Sequence, residues 1–208
     1  MKIGLALAGG GIKGAGHVGV LKALEENGIE IGYIGGTSIG SIISALYTMG
    51  YTTDEMLKLF KYFAKEIMKA DPKYYWSNVK SRKNFMGYGL LSGERIETAI
   101  NECAELKGMK NILDIKMPTV MPTVDITESK KYVFTNHEYD KNFKEDTYIR
   151  DITIGKAVRA SASYPGECTR KNGRKSSLYR LASIPLRCIS RNPFPRYRIS
   201  ECRTGYIS

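Results

Sequence analysis

Two glycine-rich stretches hold the residues whose types and spacing could do chemistry. Gly36-Thr37-Ser38-Ile39-Gly40 has the form G-x-S-x-G. Where such a segment joins a strand to a helix, the serine sits on a tight, strained turn that demands small neighbours. Its hydroxyl is then pushed out at a helix N-terminus, where developing negative charge is favoured. Both flanks fit: Tyr33 to Gly35 reads as a short strand, and Ile42, Ile43, Leu46 and Met49 form an apolar helix face behind the turn. Ser38, between Gly36 and Gly40, is therefore a candidate nucleophile.

Gly9-Gly10-Gly11-Ile12-Lys13-Gly14 follows the apolar run Ile3 to Ala8 and opens a second helix. Glycines leave backbone N–H groups unshielded, and such donors at a helix start bind an anion. Three chemistries compete for the loop. A phosphate-binding P-loop fails, because Ala15 and Gly16 follow Gly14 where Lys and Ser or Thr are needed. Gly9, Gly11 and Gly14 satisfy the dinucleotide pattern G-x-G-x-x-G, but Gly35-Gly36 stand where the next strand should end in a ribose-binding acid, and Glu30 precedes that strand. An oxyanion hole fits better, with one strand end offering a nucleophile and its neighbour the donors for a tetrahedral intermediate.

A Ser-His-Asp triad needs a histidine, and the chain has two. His17 falls one turn into the first helix and reads as a packed or surface residue. His137 follows Ser38 in order but ends a hairpin strand in a polar turn with Glu138 and Asp140, and it too reads as structural. The alternative is a dyad in which a carboxylate takes the serine proton directly.

The elements that must position these residues follow from periodicity. Ala15, Val18, Leu21 and Leu24 mark a helix stopped by Asn27-Gly28. Strand, helix, strand, helix predicts a parallel sheet. Thr53-Asp54 is expected to cap a third helix reaching about Ala70, and residues 71–92, with Trp76, Tyr74 and Tyr75, read as a lid-like excursion. Ser92-Gly93 opens a helix with Ile96, Ala99, Ile100 and Cys103 inward. Pro118 to Ile126 and Lys131 to Thr135 form a hairpin that makes the sheet mixed, and Thr153 to Ser163 is the last helix.

A chain of 208 residues that is 42% apolar and 25% charged excludes disorder and a disulfide miniprotein. Ile3 to Ala8 is too short for a secretory core, and no apolar run approaches the ~18 residues of a spanning helix, so the expected location is cytoplasmic. Cys103, Cys168, Cys188 and Cys202 form no C-x-x-C pair and suggest neither zinc nor a redox motif. The net charge of +11 is uneven: residues 1–166 hold 22 Lys+Arg against 19 Asp+Glu, and residues 167–208 hold 10 against 2. Basic residue usage inverts there too, from 18 Lys and 4 Arg to 2 Lys and 8 Arg. The charge of the second segment is scattered rather than periodic, so a nucleic-acid partner is not expected. The expectation is a domain over residues 1–166 and an aberrant basic tail over 167–208, a truncated or out-of-frame replacement of the domain's usual end.

Four segments in register carry a resemblance: Gly9 to Gly14, Ala15-Gly16-His17-Val18-Gly19-Val20-Leu21, Gly36 to Ser41, and Ala157-Val158-Arg159-Ala160-Ser161-Ala162-Ser163-Tyr164-Pro165-Gly166. Together they resemble the patatin-like phospholipases over residues 1 to about 166. The resemblance implies a three-layer α/β/α fold with a mostly parallel central sheet, here incomplete at its C-terminal part. It also implies hydrolysis of phospholipid or other acyl-ester lipids at a transient membrane contact, by a Ser-Asp dyad with no cofactor and no metal. Ser38 matches the family nucleophile, Gly9, Gly10 and Gly11 its oxyanion loop, and Lys13 its usual basic position. The family's aspartate belongs to an Asp-Gly-Gly or Asp-Gly-Ala segment beyond the last motif, and this sequence has no Asp-Gly and no Asp after Asp151. Asp125, at a strand end, gains no support from the resemblance as a substitute. The expected function is a lipid acyl hydrolase inactive in this form. The competing expectation is a non-catalytic module binding lipid or membrane surfaces through the third helix, the aromatics near Trp76 and the basic tail.

Overall fold

The structure, a computed structural model, describes residues 2–67, 93–125, 130–138 and 147–163. The excursion around Trp76, the hairpin turn and the basic tail lie outside the described residues. Strands β1 (Lys2–Leu7), β2 (Glu30–Gly36), β3 (Thr119–Asp125), β4 (Lys130–Thr135) and β5 (Thr147–Ile149) form one sheet in that order. β1, β2 and β3 run parallel, β3 and β4 form the antiparallel hairpin, and β5 returns parallel to β4. The mixed, mostly parallel α/β sheet expected from the sequence is thus present, with two differences. β2 starts at Glu30 rather than Tyr33, because an irregularity in its register between Ile3 and Gly4 lets the polar Glu30 pair with Lys2 at the strand entrance. β5 is an additional strand of three residues, too short to carry a period of its own.

The helices are α1 (Ala15–Glu26), α2 (Ile39–Thr48), α3 (Thr53–Ile67), α4 (Glu94–Leu106) and α5 (Ile154–Ala162). α2 packs on β1, β2 and β3, and α5 packs on β3, α2 and α4. Nine of the ten residues of α2 are buried, so it behaves as a core helix rather than an amphipathic one. Its buried hydroxyls are satisfied within the helix: Ser44 Oγ donates to the Gly40 carbonyl at 2.7 Å and Thr48 Oγ1 to the Ser44 carbonyl at 2.9 Å. Phe134, Met121, Ile154, Ile100 and Leu46 extend this core across the sheet and neighbouring helices. On β3 the alternation is visible residue by residue, with Thr119, Met121, Thr123 and Asp125 buried and Val120, Pro122 and Val124 half-buried on the opposite face.

Caps define where the helices begin. The start of α3 is held one residue earlier than the sequence suggested. The Thr52 hydroxyl accepts from Glu55 N–H at 3.2 Å and the Glu55 carboxylate accepts from Thr52 N–H at 2.8 Å, a reciprocal capping box. Backbone donation from Thr52 holds the Glu55 carboxyl below its ordinary range. Before β3, Asp114 accepts from the Lys110 and Asn111 amides at 2.8 and 2.7 Å, and those bonds lower its pKa as well. Tyr51 ties the end of α2 to α4 by donating to the Cys103 carbonyl at 2.9 Å, and burial pushes its phenol up to about 12. Among the described residues no helix is long and apolar enough to cross a membrane.

Among the described residues one ion pair is buried. Arg159 Nη1 of α5 lies 2.7 Å from Glu97 Oε2 of α4, with side chains 5% and 17% exposed. Glu97→Ala takes from the buried Arg159 guanidinium its carboxylate partner at 2.7 Å, and is expected to cost about 3 to 5 kcal/mol in urea unfolding; a loss below about 1 kcal/mol would contradict this assignment. Asp114 gives a pH-dependent test. Its folded-state pKa lies below the unfolded value, so its contribution is complete above the unfolded pKa and is lost as pH falls through the folded one. Asp114→Asn is therefore expected to melt at a lower temperature than the parent at pH 7, with the gap closing as the pH drops below about 3.8. A gap that persists unchanged in acid would contradict it.

Candidate active site

The site is built where β1 and β2 end side by side. Leu7 pairs with Gly36, and Thr37 N–H still donates to the Leu7 carbonyl at 3.0 Å, so both chains leave the sheet at the same rim. In parallel α/β sheets this carboxyl edge is where ligands bind. β2 then turns directly into α2 through Ser38, the single described non-glycine residue with positive φ, at φ 57° and ψ −121°. Such a backbone costs about 1 to 3 kcal/mol and persists only where its surroundings over-determine it.

The surroundings do so sterically. A methyl group on Gly36 would collide with the Gly40 carbonyl, and one on Gly40 would collide with the Leu7 carbonyl. The spacing G-x-S-x-G is thus a packing requirement of this turn: strand and helix cross so closely that no side chain fits at either flank. Hydrogen bonds lock the result. Ser41 Oγ donates to the Ser38 carbonyl at 2.6 Å, and the Ser41 and Ile42 amides reach the same carbonyl at 2.9 and 3.3 Å.

The glycine loop lies against this turn. A methyl group on Gly9 would stand 3.4 Å from Ser38 Cβ, and one on Gly14 would overlap the Ile39 side chain. Gly9, Gly10 and Gly11 are solvent-exposed, and Gly11 has φ +56°, a conformation that favours glycine. Residues Gly11–Gly14 form a 3-10 turn into α1, with Lys13 N–H donating to the Gly10 carbonyl at 3.2 Å and the Lys13 side chain exposed. Ser38 and the triglycine segment, argued independently from sequence, are adjacent.

The two histidines fall elsewhere in the scheme. His17 Nε2 bonds the Ala8 carbonyl at 3.0 Å, which anchors the point where β1 opens into the glycine loop. Val120 pairs with Thr135 antiparallel, so the chain after β4 runs toward the start of β3 and carries His137 away from the rim that holds Ser38. Asp125 is fully buried at the carboxyl end of β3, the edge of the sheet that also carries the Ser38 rim, on the face shared with Thr123 and Met121. A cavity of about 300 Å³ lined by Phe134, Ile149, Thr153 and Lys156 lies between α5 and the β4–β5 edge and shares no residue with the Ser38 rim.

Sequence reasoning placed Ser161 in a resemblance segment but gave it no role. This buried α5 residue accepts a hydrogen bond from Ser38 N–H at 3.3 Å and donates one to the Pro122 carbonyl at 2.8 Å. Its signal was a hydroxyl among small residues on the buried face of a helix, at Ala160-Ser161-Ala162.

Known proteins resemble this chain in sequence and in fold. The chain is 51% identical over 65 residues to the lysophospholipase NTE1 of Meyerozyma guilliermondii, covering 31% of this chain and 4% of that protein. It is 33% identical over 134 residues to the neuropathy target esterase sws of Drosophila persimilis, covering 64% of this chain and 9% of that protein. The chain therefore spans less than a tenth of these relatives. VipD from Legionella pneumophila shares the fold, with a TM-score of 0.51 at 13% identity over 86% of this chain and 45% of that one. A family model described as patatin-like phospholipase matches residues 5–173, and the chain belongs to that family.

Proposed function

We propose that the chain is a serine lipid acyl hydrolase in which Ser38 is the nucleophile and the amides of Gly9, Gly10 and Gly11 receive the oxyanion. The observation that carries this reading is the close approach of Gly9 to Ser38 at a strained strand-to-helix turn. Ser38 Oγ attacks the acyl carbonyl, its proton passes to a base, and the ester C–O bond breaks to release the alcohol portion of the lipid. Water then cleaves the acyl-serine and frees the fatty acid. During both steps negative charge sits on the former carbonyl oxygen, and fixed N–H dipoles stabilise it without reorganisation. Membership of the patatin-like family and the likeness to proteins named lysophospholipase and esterase support an acyl-ester lipid as substrate. Such a substrate is met at a membrane surface.

The base is where this chain departs from its family. Within the 208 residues there is no Asp-Gly, and the last aspartate is Asp151. Residues 167–208 stand where that segment is expected, and we read them as a replacement for it. Without the aspartate of that segment the serine proton goes to water, which typically lowers the rate about 10² to 10⁴-fold.

A serine-directed fluorophosphonate is expected to label the 208-residue chain slowly at Ser38, with labelling lost in Ser38→Ala. Turnover of a short p-nitrophenyl ester is expected to stay at least about 10²-fold below that of a patatin-like hydrolase that carries the aspartate. Labelling that survives Ser38→Ala would overturn the nucleophile. Robust ester turnover would overturn the missing base, and vesicle binding with no labelling would favour a lipid-binding module.

A further inference from the structure

We infer that Ser161 is a positioning residue whose hydroxyl replaces a missing rung of the sheet and thereby holds the Ser38 backbone in its strained conformation. The inference rests on Ser38 being the nucleophile and adds a residue that fixes its geometry.

The register of β2 and β3 supplies the reasoning. Ile34 N–H donates to the Pro118 carbonyl at 3.2 Å, and the ladder pairs Ile34 with Thr119 and Gly35 with Val120. Four residues further along each strand, the same register sets Ser38 N–H against the Pro122 carbonyl. By then the chain has turned into the elbow: β2 ends at Gly36, while β3 continues to Asp125. The alternation of donors survives the turn. Thr37 N–H still faces β1 through the Leu7 carbonyl, and Ser38 N–H faces the β3 side.

Ser161 fills the gap between them. A hydroxyl has one donor and two acceptor positions. Pro122 offers only a carbonyl to Ser161, so the Ser161 proton is committed there, at 2.8 Å. The lone pairs are left for Ser38 N–H, at 3.3 Å. The relay Ser38 N–H to Ser161 Oγ–H to Pro122 C=O restores the rung with one inserted atom. It also satisfies two backbone groups that the elbow would otherwise strand. α5 is held at the right height for this by Thr123 Oγ1, which donates to the Ala160 carbonyl at 3.1 Å, and by the buried Arg159–Glu97 pair. Ser161 itself is fully buried, so water has no easy route to substitute for it.

The remaining hydrogen bonds on the Ser38 backbone come from Ser41 and Ile42 and grip its carbonyl from within α2. Ser161 grips the other peptide, on the strand side. With both peptides held, the Cα–Cβ bond of Ser38 keeps its direction toward the glycine loop. Ser161 touches neither substrate nor the reacting oxygen in this scheme and acts through the backbone of Ser38.

The test uses Ser161→Ala and Ser161→Thr in the full chain, with Ser163→Ala as a control for general damage to the end of α5. Ser163 Oγ bonds only the Arg159 carbonyl at 2.7 Å among the described contacts. Two quantities are read: the rate of fluorophosphonate labelling at Ser38, and hydrogen exchange of the Ser38 amide. Ser161→Ala is expected to slow labelling and to speed amide exchange, each by about tenfold, as for loss of one buried hydrogen bond. Ser161→Thr keeps the hydroxyl and is expected to restore both to within a few fold of the parent. Ser163→Ala is expected to move neither. Unchanged labelling and exchange in Ser161→Ala would overturn the inference, as would equal loss in Ser161→Thr and Ser163→Ala. Absence of labelling in the parent chain would instead sink the nucleophile, while Ser38 amide exchange would still decide whether the rung exists.

Discussion

The rim depends on one constraint: β1 and β2 end together and β2 must reverse into α2 within a single residue. Because Leu7 and Gly36 are register partners, the first turn of α2 is pressed onto the end of β1, with the Gly40 backbone against the Leu7 carbonyl. That contact leaves no space for side chains at positions 36 and 40, and the backbone angle that results is tolerated at Ser38 only because its peptides are held on both sides. The glycine loop that follows β1 is brought alongside by the same geometry, with Gly14 resting on Ile39 and His17 anchoring the Ala8 carbonyl. A half-buried serine beside three exposed glycines is thus a consequence of how two adjacent parallel strands terminate.

Strain of this kind must be supported by something rigid, and α2 supplies it. A helix buried on nearly every side cannot tilt to relax the elbow; its Ser44 and Thr48 hydroxyls bond the helix's own carbonyls, and its Ser41 hydroxyl grips the Ser38 carbonyl. α5 braces the elbow from the β3 side, and α4 braces α5 through the Arg159–Glu97 pair and the Asn101 side chain, which accepts from Gly155 N–H at 3.0 Å. The support therefore runs from α4 through α5 to Ser38, and its last link is the Ser161 hydroxyl.

Much of this was legible in the sequence because the steric demands fall on neighbouring residues. Gly36 and Gly40 flank Ser38 by two, so the turn announces itself locally, and α1 ends at Asn27-Gly28 as its periodicity and the Gly28 φ of +65° require. The hairpin of β3 and β4 was equally plain from two strand-like runs joined by a short polar link. What could not be read involves partners far apart in the chain. Ser161 meets Ser38 across 123 residues and Pro122 across 39, and the segment Ala157 to Gly166 that contains it does not show which backbone groups its hydroxyl meets. β5 exists because β4 offers it an edge, and its three residues carry no signal of their own. Thr52 and Thr53 are both plausible caps before Glu55, and only the bonds select Thr52.

The central claim is that the Ser38 hydroxyl and the triglycine amides serve the same acyl carbonyl, the hydroxyl attacking its carbon and the amides receiving its oxygen. A crystal structure of the chain phosphonylated at Ser38 tests this most directly, because the phosphoryl oxygen occupies the place of the oxyanion. The expected result is that oxygen about 2.7 to 3.1 Å from at least one backbone nitrogen of Gly9, Gly10 or Gly11. A phosphoryl oxygen turned into solvent, with the three glycine amides bonded elsewhere, would contradict it.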